Sequence, residues 1–502
     1  MKYLFVNTTN TYSKIDKNIY GHFAEHLGRG IYGGIYVGEN SPIDNVRGFR
    51  KDVIDALRNI KVPVIRWPGG CFAEYYSWKD GIGSKEERKR IVNTAWGGVI
   101  EDNSFGTHEY LDFCEQIGCA PYIAGNVGSG TVRELSGWIE YVNLDGESPM
   151  ADLRRRNGRE DPWSVEYIGI GNENWGCGGN MSAEFYAQSY KQFATYIRPY
   201  GGTKPYKIAC GADGADYHWT DVLMQKAGNQ MDGLSLHYYT MPGYYPTDPY
   251  PWEKKESATA FDENNYYRTL RRALDIDSLI LRHKCIMDRY DPEKRVSIVV
   301  DEWGTWHAPQ PGTNPSFLFQ QNTMRDAIVA AVSLNIFNLH SDRVRMANLA
   351  QMINVLQSVI LTEGEQMILT PTYHVFDLYK GHQDATLVES FIQQDQIGTE
   401  EAKVPLLHAS ASLGNEGDAL VTIVNLSPSE GQKVKCTLGG GNYVSATVRY
   451  ISDKMTAYNE FDKAPQVKIK TITDIPIVDN QFMLELPACS VMAVNLNSNL
   501  LD

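Results

Sequence analysis

The sequence predicts an α/β fold: a (β/α)8 barrel, or TIM barrel, joined to a β-sandwich. From about residue 18 to about residue 375, short apolar runs alternate with longer helical patterns. After about residue 384 the pattern changes to period two with turn signals, and no long helical pattern follows. Because a chain of 502 residues is long enough for two domains, we predict a barrel over residues 18–375 and a sandwich built from residues 1–17 and 376–502.

Short apolar runs predict the barrel strands. They are at residues 62–66, 121–124, 167–170, 207–210, 234–237 and 296–300. Between them, Val53 and Leu57 mark the apolar face of one helix, and Ser182 is suited to be the N-cap of another. Eight such repeats would close a barrel. A doubly wound open sheet remains the alternative, since alternation alone does not separate the two folds.

The sandwich is predicted from alternating segments at residues 419–424 and 482–486 and from a glycine-rich turn at residues 439–442. Residues 2–6 also have the composition of a strand, and no crossover helix follows them. We therefore expect the N-terminal strand to pair into the sandwich and the barrel to start near Asn18.

The composition excludes several classes of partner. A formal charge of −14 argues against nucleic acid and against a strongly anionic polymer. An aromatic content of 11% suits either core packing or sugar rings. No apolar stretch reaches the length of a membrane span. A neutral substrate fits best.

The N-terminus and the cysteines indicate a cytoplasmic protein. The apolar run after Met1 is too short for a signal peptide. Eight cysteines are scattered without a CxxC pair, which is typical of reduced thiols and not of a disulfide framework. We expect such a protein to act on fragments imported into the cell.

Two glutamates form the candidate catalytic pair. Glu173 follows the predicted strand at residues 167–170, and Glu302 follows the one at residues 296–300. Carboxylates at the C-terminal ends of barrel strands occupy the catalytic end of this fold. Two of them suit the cleavage of a glycosidic bond, where one group protonates the leaving oxygen and the other attacks or stabilises the sugar. A solvated surface carboxylate is the default alternative for any single glutamate.

The segment HFAEH at residues 22–26 matches the H-x-x-E-H pattern of a zinc peptidase. That chemistry needs both histidines on one face of a helix, but glycines surround the segment. We expect instead that Glu25 ends a first barrel strand and contacts sugar hydroxyls.

Two further strand ends carry polar groups. The segment WPGGCF at residues 67–72 predicts a tight loop whose glycines let the backbone approach a ligand. Cys71 in it could be a catalytic thiol, although a pocket-lining role is favoured. His237 is either a core histidine or a site residue. Tyr239 shares its face and could hydrogen-bond a nucleophilic carboxylate.

A loop rich in proline and aromatic residues covers residues 240–262. It is either a stiff surface loop or an aromatic rim for a glycan on the leaving-group side. The candidate rim residues are Tyr244, Tyr245, Tyr250 and Trp252.

In combination, these motifs resemble the α-L-arabinofuranosidases of glycoside hydrolase family 51, in clan A. The likeness covers nearly the whole barrel and is weak in the C-terminal part. The matching segments are IYGHFAEHLG (19–28), RWPGGCF (66–72), NTAWGG (93–98), GNEN (171–174), HYY (237–239), DEWGTW (301–306) and RMAN (345–348).

The resemblance implies a barrel with a jelly-roll sandwich and a retaining mechanism on arabinose-containing oligosaccharides. Glu173 would be the acid/base on the fourth strand and Glu302 the nucleophile on the seventh. The family is often hexameric and needs no cofactor. Positions around the arabinose or the catalytic pair match Glu25, Arg66, Cys71, Asn172, Tyr239 and Gln351, and pocket walls match Trp96 and Trp306.

Ala95 and the long loop at residues 240–262 depart from the family pattern, which affects the leaving-group preference and not the chemistry. Three alternatives stay open. The chain could be another clan A hydrolase such as an endo-glucanase or xylosidase, a carbohydrate-binding protein with an inactive barrel, or a zinc peptidase.

Overall fold

The computed structural model describes residues 1–242 and 255–498. The four rim residues predicted at positions 244, 245, 250 and 252 lie outside these ranges. The strands are β1 (Lys2–Lys14), β2 (Gly21–Phe23), β3 (Asn45–Val46), β4 (Phe49–Arg50), β5 (Val64–Trp67), β6 (Ile91–Val92), β7 (Ile100–Glu101), β8 (Ala120–Gly125), β9 (Tyr167–Ile170), β10 (Tyr206–Asp213), β11 (Gly233–Thr240), β12 (Ser297–Thr305), β13 (Val344–Leu349), β14 (Ile360–Glu363), β15 (Gln366–Leu369), β16 (Thr386–Ile392), β17 (Gln396–Gly398), β18 (Lys403–Pro405), β19 (Leu407–Leu413), β20 (Ala419–Asn425), β21 (Gln432–Gly439), β22 (Tyr443–Ser452), β23 (Lys470–Pro476), β24 (Gln481–Leu486) and β25 (Ser490–Ser498).

The α-helices alternate with the barrel strands. They are α1 (Lys51–Asn59), α2 (Thr107–Ile117), α3 (Val132–Asn143), α4 (Pro149–Arg156), α5 (Ala183–Tyr196), α6 (Tyr217–Ala227), α7 (Glu263–Tyr290), α8 (Met324–Leu339) and α9 (Pro371–Tyr379). Both predicted helices are confirmed. In α1, Val53 and Leu57 are buried, and Ser182 caps α5 by accepting a hydrogen bond from the Phe185 N–H.

Eight parallel strands close into a barrel in the order β10-β11-β12-β13-β2-β5-β8-β9. The doubly wound alternative is therefore wrong, because β13 pairs with β2 and leaves no open edge. The six strands predicted from apolar runs are all present. The two others, β2 and β13, carry polar residues such as His22 and Asn348, which weaken the apolar signal.

The remaining large sheet has nine strands in the order β23-β22-β25-β20-β19-β16-β1-β21-β24. As predicted, the N-terminal strand β1 belongs to it, antiparallel to β16 and parallel to β21. Alternate residues of these strands, such as Leu4, Val421 and Val494, form a separate apolar core. The division of the chain at residues 17/18 and 375/376 stays a prediction.

Helix α8 joins the sandwich to the barrel. All of its residues from Met324 to Asn338 are buried. Its Asn335 Oδ1 accepts hydrogen bonds of 2.8 Å from the hydroxyls of both Ser410 and Thr422 on the sandwich sheet. A buried amide paired in this way fixes how the two layers meet. Among the residues that the structure describes, no helix is both long and apolar enough to cross a membrane.

Candidate active site

Glu173 and Glu302 lie at the C-terminal end of the barrel. Glu173 follows the fourth strand, β9, and Glu302 lies in the seventh, β12. One oxygen of each carboxylate lies within 4.8 Å of the other. The side chain of Glu302 is 7% exposed and that of Glu173 is 18% exposed. Glu302 therefore lies deeper, and Glu173 lies nearer the solvent.

His237 contacts both carboxylates because of an irregularity between β11 and β12. The pairing is Ser235 with Val299 but His237 with Glu302, so β12 has an extra residue at this point. Such a bulge re-aims the side chains of the bulged strand. His237 Nδ1 is 2.9 Å from Glu173 Oε1 and 3.7 Å from Glu302 Oε2. The histidine that the sequence left ambiguous is thus part of the site.

Glu302 is held as an anion. Arg66 Nη1 donates a 2.8 Å hydrogen bond to Oε1, and the Tyr239 hydroxyl donates one of 2.7 Å to Oε2. Burial alone would raise the pKa of Glu302, but the charges of His237 and Arg66 and these hydrogen bonds bring it below the ordinary value. An ionised carboxylate is the form that a nucleophile needs.

Glu173 has the opposite environment. Burial and the negative charge of Glu302 raise the pKa of Glu173, and the hydrogen bond from His237 only partly opposes them. Burial would lower the pKa of His237, but the two carboxylates raise it to about 9. The site therefore moves the pKa values of the two glutamates apart, that of Glu173 upward and that of Glu302 downward.

Arg66 connects the second, fourth and seventh strands. Besides Glu302, its guanidinium donates to Asn172 Oδ1 and pairs with Asp301 at 3.3 Å. It also lies over the ring of Phe23, 4.5 Å from the ring centroid. Arg66 and Asn172, both predicted as site residues, are thus brought together under the catalytic pair.

The glycine loop after β5 makes room for carboxylates. A Cβ on Gly70 would lie 2.9 Å from Glu302 Oε1, and one on Gly69 would lie 2.7 Å from Glu25 Cγ. Closer than 3 Å, a neighbour must move. The sequence predicted an approach of the backbone to a ligand, and the structure adds that the glycines admit the side chains of the site itself.

Glu25 organises the other side of the pocket. Its Oε1 accepts hydrogen bonds from the Gly70 and Phe72 N–H groups and from Trp96 Nε1, and its Oε2 accepts one of 2.9 Å from Gln351 Nε2. Burial and the charge of Glu302 raise the pKa of Glu25 to about 7, against these hydrogen bonds. The Oε1 atom of Gln351 is buried and has no hydrogen-bond partner within the described part of the chain.

Aromatic rings surround a small apolar cluster beside these groups. Trp96, Tyr239 and Trp306 pack against Leu27 and its apolar neighbours. The rings of Tyr239 and Trp306 meet edge to face at 4.8 Å. Trp96 and Trp306, the two tryptophans predicted as pocket walls, therefore pack against the same apolar cluster.

The prediction of reduced thiols is wrong for one pair of cysteines. Cys71 forms a disulfide with Cys177, with Cα atoms 5.6 Å apart. The fold brings together residues 106 positions apart, which spacing alone does not reveal. The two sulfurs lie 3.7 and 3.4 Å from Glu173 Oε2. Cys71 therefore lines the site without a free thiol, and the other six cysteines are free.

The positions of His22 and His26 exclude the interpretation of residues 22–26 as the zinc site of a peptidase. His22 lies in strand β2 and packs on Phe376 at 4.7 Å. His26 lies in the following loop, where it contacts Glu101 and Trp67. No helix places the two histidines on one face, so they cannot form that metal site.

A closed parallel barrel with two buried carboxylates of oppositely shifted pKa at the C-terminal ends of its strands indicates the class of protein, a glycoside hydrolase. Comparison with known proteins gives the family. Two family models match the chain. The model described as "Alpha-L-arabinofuranosidase 1 domain" matches residues 56–257, and the model described as "Alpha-L-arabinofuranosidase C-terminal domain" matches residues 301–490.

Relatives extend this match to nearly the whole chain. An intracellular exo-α-L-arabinofuranosidase of Bacteroides ovatus is 49% identical, with 96% of this chain and 93% of that protein covered. The family 51 arabinofuranosidase of Xanthomonas axonopodis pv. citri superposes with a TM-score of 0.95 at 45% identity, over 99% of this chain and 100% of the other. That of Thermotoga petrophila gives 0.86 at 32% identity, over the same shares. The chain belongs to glycoside hydrolase family 51, the α-L-arabinofuranosidases.

Proposed function

We propose that the protein is an exo-acting α-L-arabinofuranosidase. It removes terminal non-reducing α-L-arabinofuranosyl residues from arabinoxylan or arabinan oligosaccharides by double displacement, without a cofactor. The observation that carries the proposal is the pair Glu173 and Glu302, whose oxygens approach within 4.8 Å and whose pKa values are moved in opposite directions. A separation near 5 Å suits a retaining enzyme, because an inverting one needs room for water between the carboxylates.

In the first step Glu302 attacks the anomeric carbon and Glu173 gives its proton to the leaving oxygen. The C–O bond to the leaving group breaks as the bond to Glu302 forms, and the sugar becomes an ester of the enzyme. Arg66 and Tyr239 each hold one oxygen of Glu302, which fixes the carboxylate for attack. The greater exposure of Glu173 suits a proton donor that faces the departing alcohol.

In the second step Glu173 acts as a base. Once Glu302 is esterified, its negative charge no longer raises the pKa of Glu173. Glu173 can then take a proton from water as the water attacks the anomeric carbon and releases Glu302. The product has the configuration of the substrate.

A small furanose suits the polar groups on the wall of the pocket. Gln351 Nε2 donates a hydrogen bond to Glu25 Oε2, and Gln351 Oε1, which has no partner among the described residues, is an acceptor for a sugar hydroxyl. Trp96 and Trp306 offer ring faces for the C–H groups of the sugar. A site that hydrogen-bonds each hydroxyl rejects analogues that leave a buried partner unpaired, by roughly 10⁴-fold.

A panel of 4-nitrophenyl glycosides tests the substrate class. The α-L-arabinofuranoside should be cleaved at least about 10⁴-fold faster, in kcat/KM, than the β-D-xylopyranoside or β-D-glucopyranoside. Arabino-oligosaccharides should release arabinose alone. Comparable rates on a pyranoside, or internal cleavage products, would favour the endo-glucanase or xylosidase alternative.

We also propose that the enzyme works in the cytoplasm on imported fragments. The support is the Bacteroides ovatus relative, which is described as intracellular. Since disulfides are rare in a reducing cytoplasm, the thiol state of Cys71 and Cys177 should be measured in cells lysed into an alkylating reagent. Recovery of the protein from the culture medium would contradict this location.

Assembly as a homo-oligomer, with a hexamer implied by the family resemblance, is a further proposal. The sandwich exposes Tyr3, Phe5 and Phe391, and the last two are paired across β1 and β16. Light scattering after size exclusion should give a multiple of the 56.5 kDa chain mass. A monomer at micromolar concentration would contradict the proposal.

A further inference from the structure

Glu74 is a buried carboxylate that the mechanism above does not use. It ends the short 3₁₀ turn Cys71–Glu74 after β5 and is 5% exposed. Its Oε1 accepts hydrogen bonds from the Asn172 N–H at 2.5 Å and from Asn174 Nδ2 at 3.0 Å. Its Oε2 accepts from the N–H groups of Val127 at 2.7 Å and Gly128 at 2.5 Å. One side chain thus links the ends of the second, third and fourth barrel strands.

The two residues that Glu74 holds after the fourth strand, Asn172 and Asn174, flank Glu173. Glu173 has φ +44°, in the left-handed region that residues with a Cβ rarely adopt. Such a conformation persists only where the surroundings fix it. The hydrogen bonds to Asn172 and Asn174, one on each side, are a direct means of fixing it.

The four donors around Glu74 favour its ionised form. All four partners donate, so a proton on either carboxyl oxygen would face an N–H group. Burial raises the pKa of Glu74 to about 7, against the four hydrogen bonds. A buried anion is costly unless it is fully hydrogen-bonded. Two of the four hydrogen bonds come from Asn172 and Asn174, on either side of Glu173, and the other two come from the backbone after the third strand.

We propose that Glu74 is a positioning residue for proton transfer by Glu173. It touches neither the substrate nor the reacting atoms; it holds residues 172 and 174 so that the Glu173 carboxyl faces the glycosidic oxygen. This inference rests on the acid/base role of Glu173 proposed above.

Glu74→Gln tests the inference, because it keeps the size of the side chain but places an amide N–H against backbone N–H donors. Loss of positioning should slow only the step that needs a proton. We expect kcat/KM for an unactivated methyl α-L-arabinofuranoside to fall roughly 100-fold, within the 10²–10⁴ that a general acid contributes. For the 2,4-dinitrophenyl glycoside, whose leaving group needs no proton, we expect a fall of less than about threefold at the glycosylation step.

Asp377→Asn is the matched control. Asp377 is also a buried carboxylate, 7% exposed, but it lies on α9 and pairs with Lys380 and Arg449. The Asp377→Asn variant should lower the melting temperature, and it should change kcat/KM for the two substrates by the same factor. Glu74→Asp, which retains the charge with a shorter reach, should recover part of the selective loss and also covers the case in which Glu74→Gln folds poorly.

Glu173→Ala separates the two proposals. If it shows the leaving-group dependence and Glu74→Gln slows both substrates equally, the positioning role is overturned while the function stands. If neither variant discriminates between leaving groups, both are overturned. If both discriminate, the double variant should be no slower on the methyl glycoside than Glu173→Ala alone; a multiplied loss would mean that Glu74 acts elsewhere.

Discussion

His237 lies directly opposite Glu302 in the register of β11 and β12, with Nδ1 3.7 Å from Glu302 Oε2. A histidine between two carboxylates acts on both of them, since its charge lowers the pKa of each. The difference between the two glutamates therefore depends on Arg66 and Tyr239, which lower the pKa of Glu302, and on the charge of Glu302, which raises the pKa of Glu173.

Removing the charge of His237 should move the pH profile upward. Glu302 must be ionised, so its pKa sets the acidic limb of kcat/KM, and Glu173 must be protonated, so its pKa sets the alkaline limb. His237→Gln removes the positive charge that lowers the pKa of both glutamates, so both pKa values should rise. Both limbs should shift to higher pH in profiles measured beside the wild type; limbs that stay in place or move to lower pH would contradict this account.

Gly70→Ala should disrupt the nucleophile. The added Cβ would lie 2.9 Å from Glu302 Oε1, so the carboxylate or the loop must shift, and a displacement near 1 Å can cost about 100-fold in rate. Gly137→Ala, in α3, is the control, because its Cβ would make ordinary contacts with Met150 Sδ at 3.8 Å and Trp78 Cζ2 at 4.0 Å. Steady-state kinetics should show the loss in Gly70→Ala alone, and equal activities of the two variants would refute the role given to this glycine.

Cys177→Ala should reduce stability more than activity. Removing a disulfide that closes a loop of this length costs about 2–5 kcal/mol, whereas the sulfurs only contact Glu173. We expect kcat/KM to fall by less than about tenfold and the glycosyl-enzyme still to form. Urea unfolding with and without dithiothreitol gives the check: the reductant should destabilise the wild type and leave Cys177→Ala unchanged. An abolished covalent step would assign the cysteines a chemical role.

Gln351→Ala should identify a sugar hydroxyl. Within residues 1–242 and 255–498, the buried Oε1 of Gln351 has no hydrogen-bond partner. Loss of a hydrogen bond from a sugar hydroxyl to this atom should cost about 1–3 kcal/mol, or roughly 5- to 150-fold in kcat/KM. Deoxy analogues of the arabinofuranoside provide the comparison. With the analogue that lacks the partner hydroxyl, wild type and variant should differ by less than about threefold. A constant loss across all the deoxy analogues would mean that Gln351 acts only by supporting Glu25.

Much of the fold was predictable because barrel strands bury apolar runs. β9 and β12 carry continuous apolar runs of this kind, and a glutamate at the end of each predicted the site. β2 escaped the pattern, since it has three residues and one is His22. The N-terminal strand β1 was assigned to the sandwich because no crossover helix follows it.

The parts of the site that the sequence did not reveal depend on contacts between distant segments. Cys177 pairs with a cysteine 106 positions away. The distance in sequence between two cysteines does not show whether they form a disulfide. Glu74 is a lone glutamate in a loop, where a solvated side chain is the default expectation. The motif GNEN did indicate that residues 172 and 174 flank the catalytic glutamate, and Glu74 becomes visible only when their hydrogen-bond partners are known.

The most direct test of the central claim is azide rescue of Glu173→Ala and Glu302→Ala on 2,4-dinitrophenyl α-L-arabinofuranoside. Glu173→Ala should form the glycosyl-enzyme, stall, and with azide turn over to an arabinofuranosyl azide of retained configuration. Glu302→Ala should be inactive alone, and azide should give the inverted azide. The opposite pairing of variant and stereochemistry, read from the product's NMR spectrum, would contradict the account and require the two roles to be exchanged.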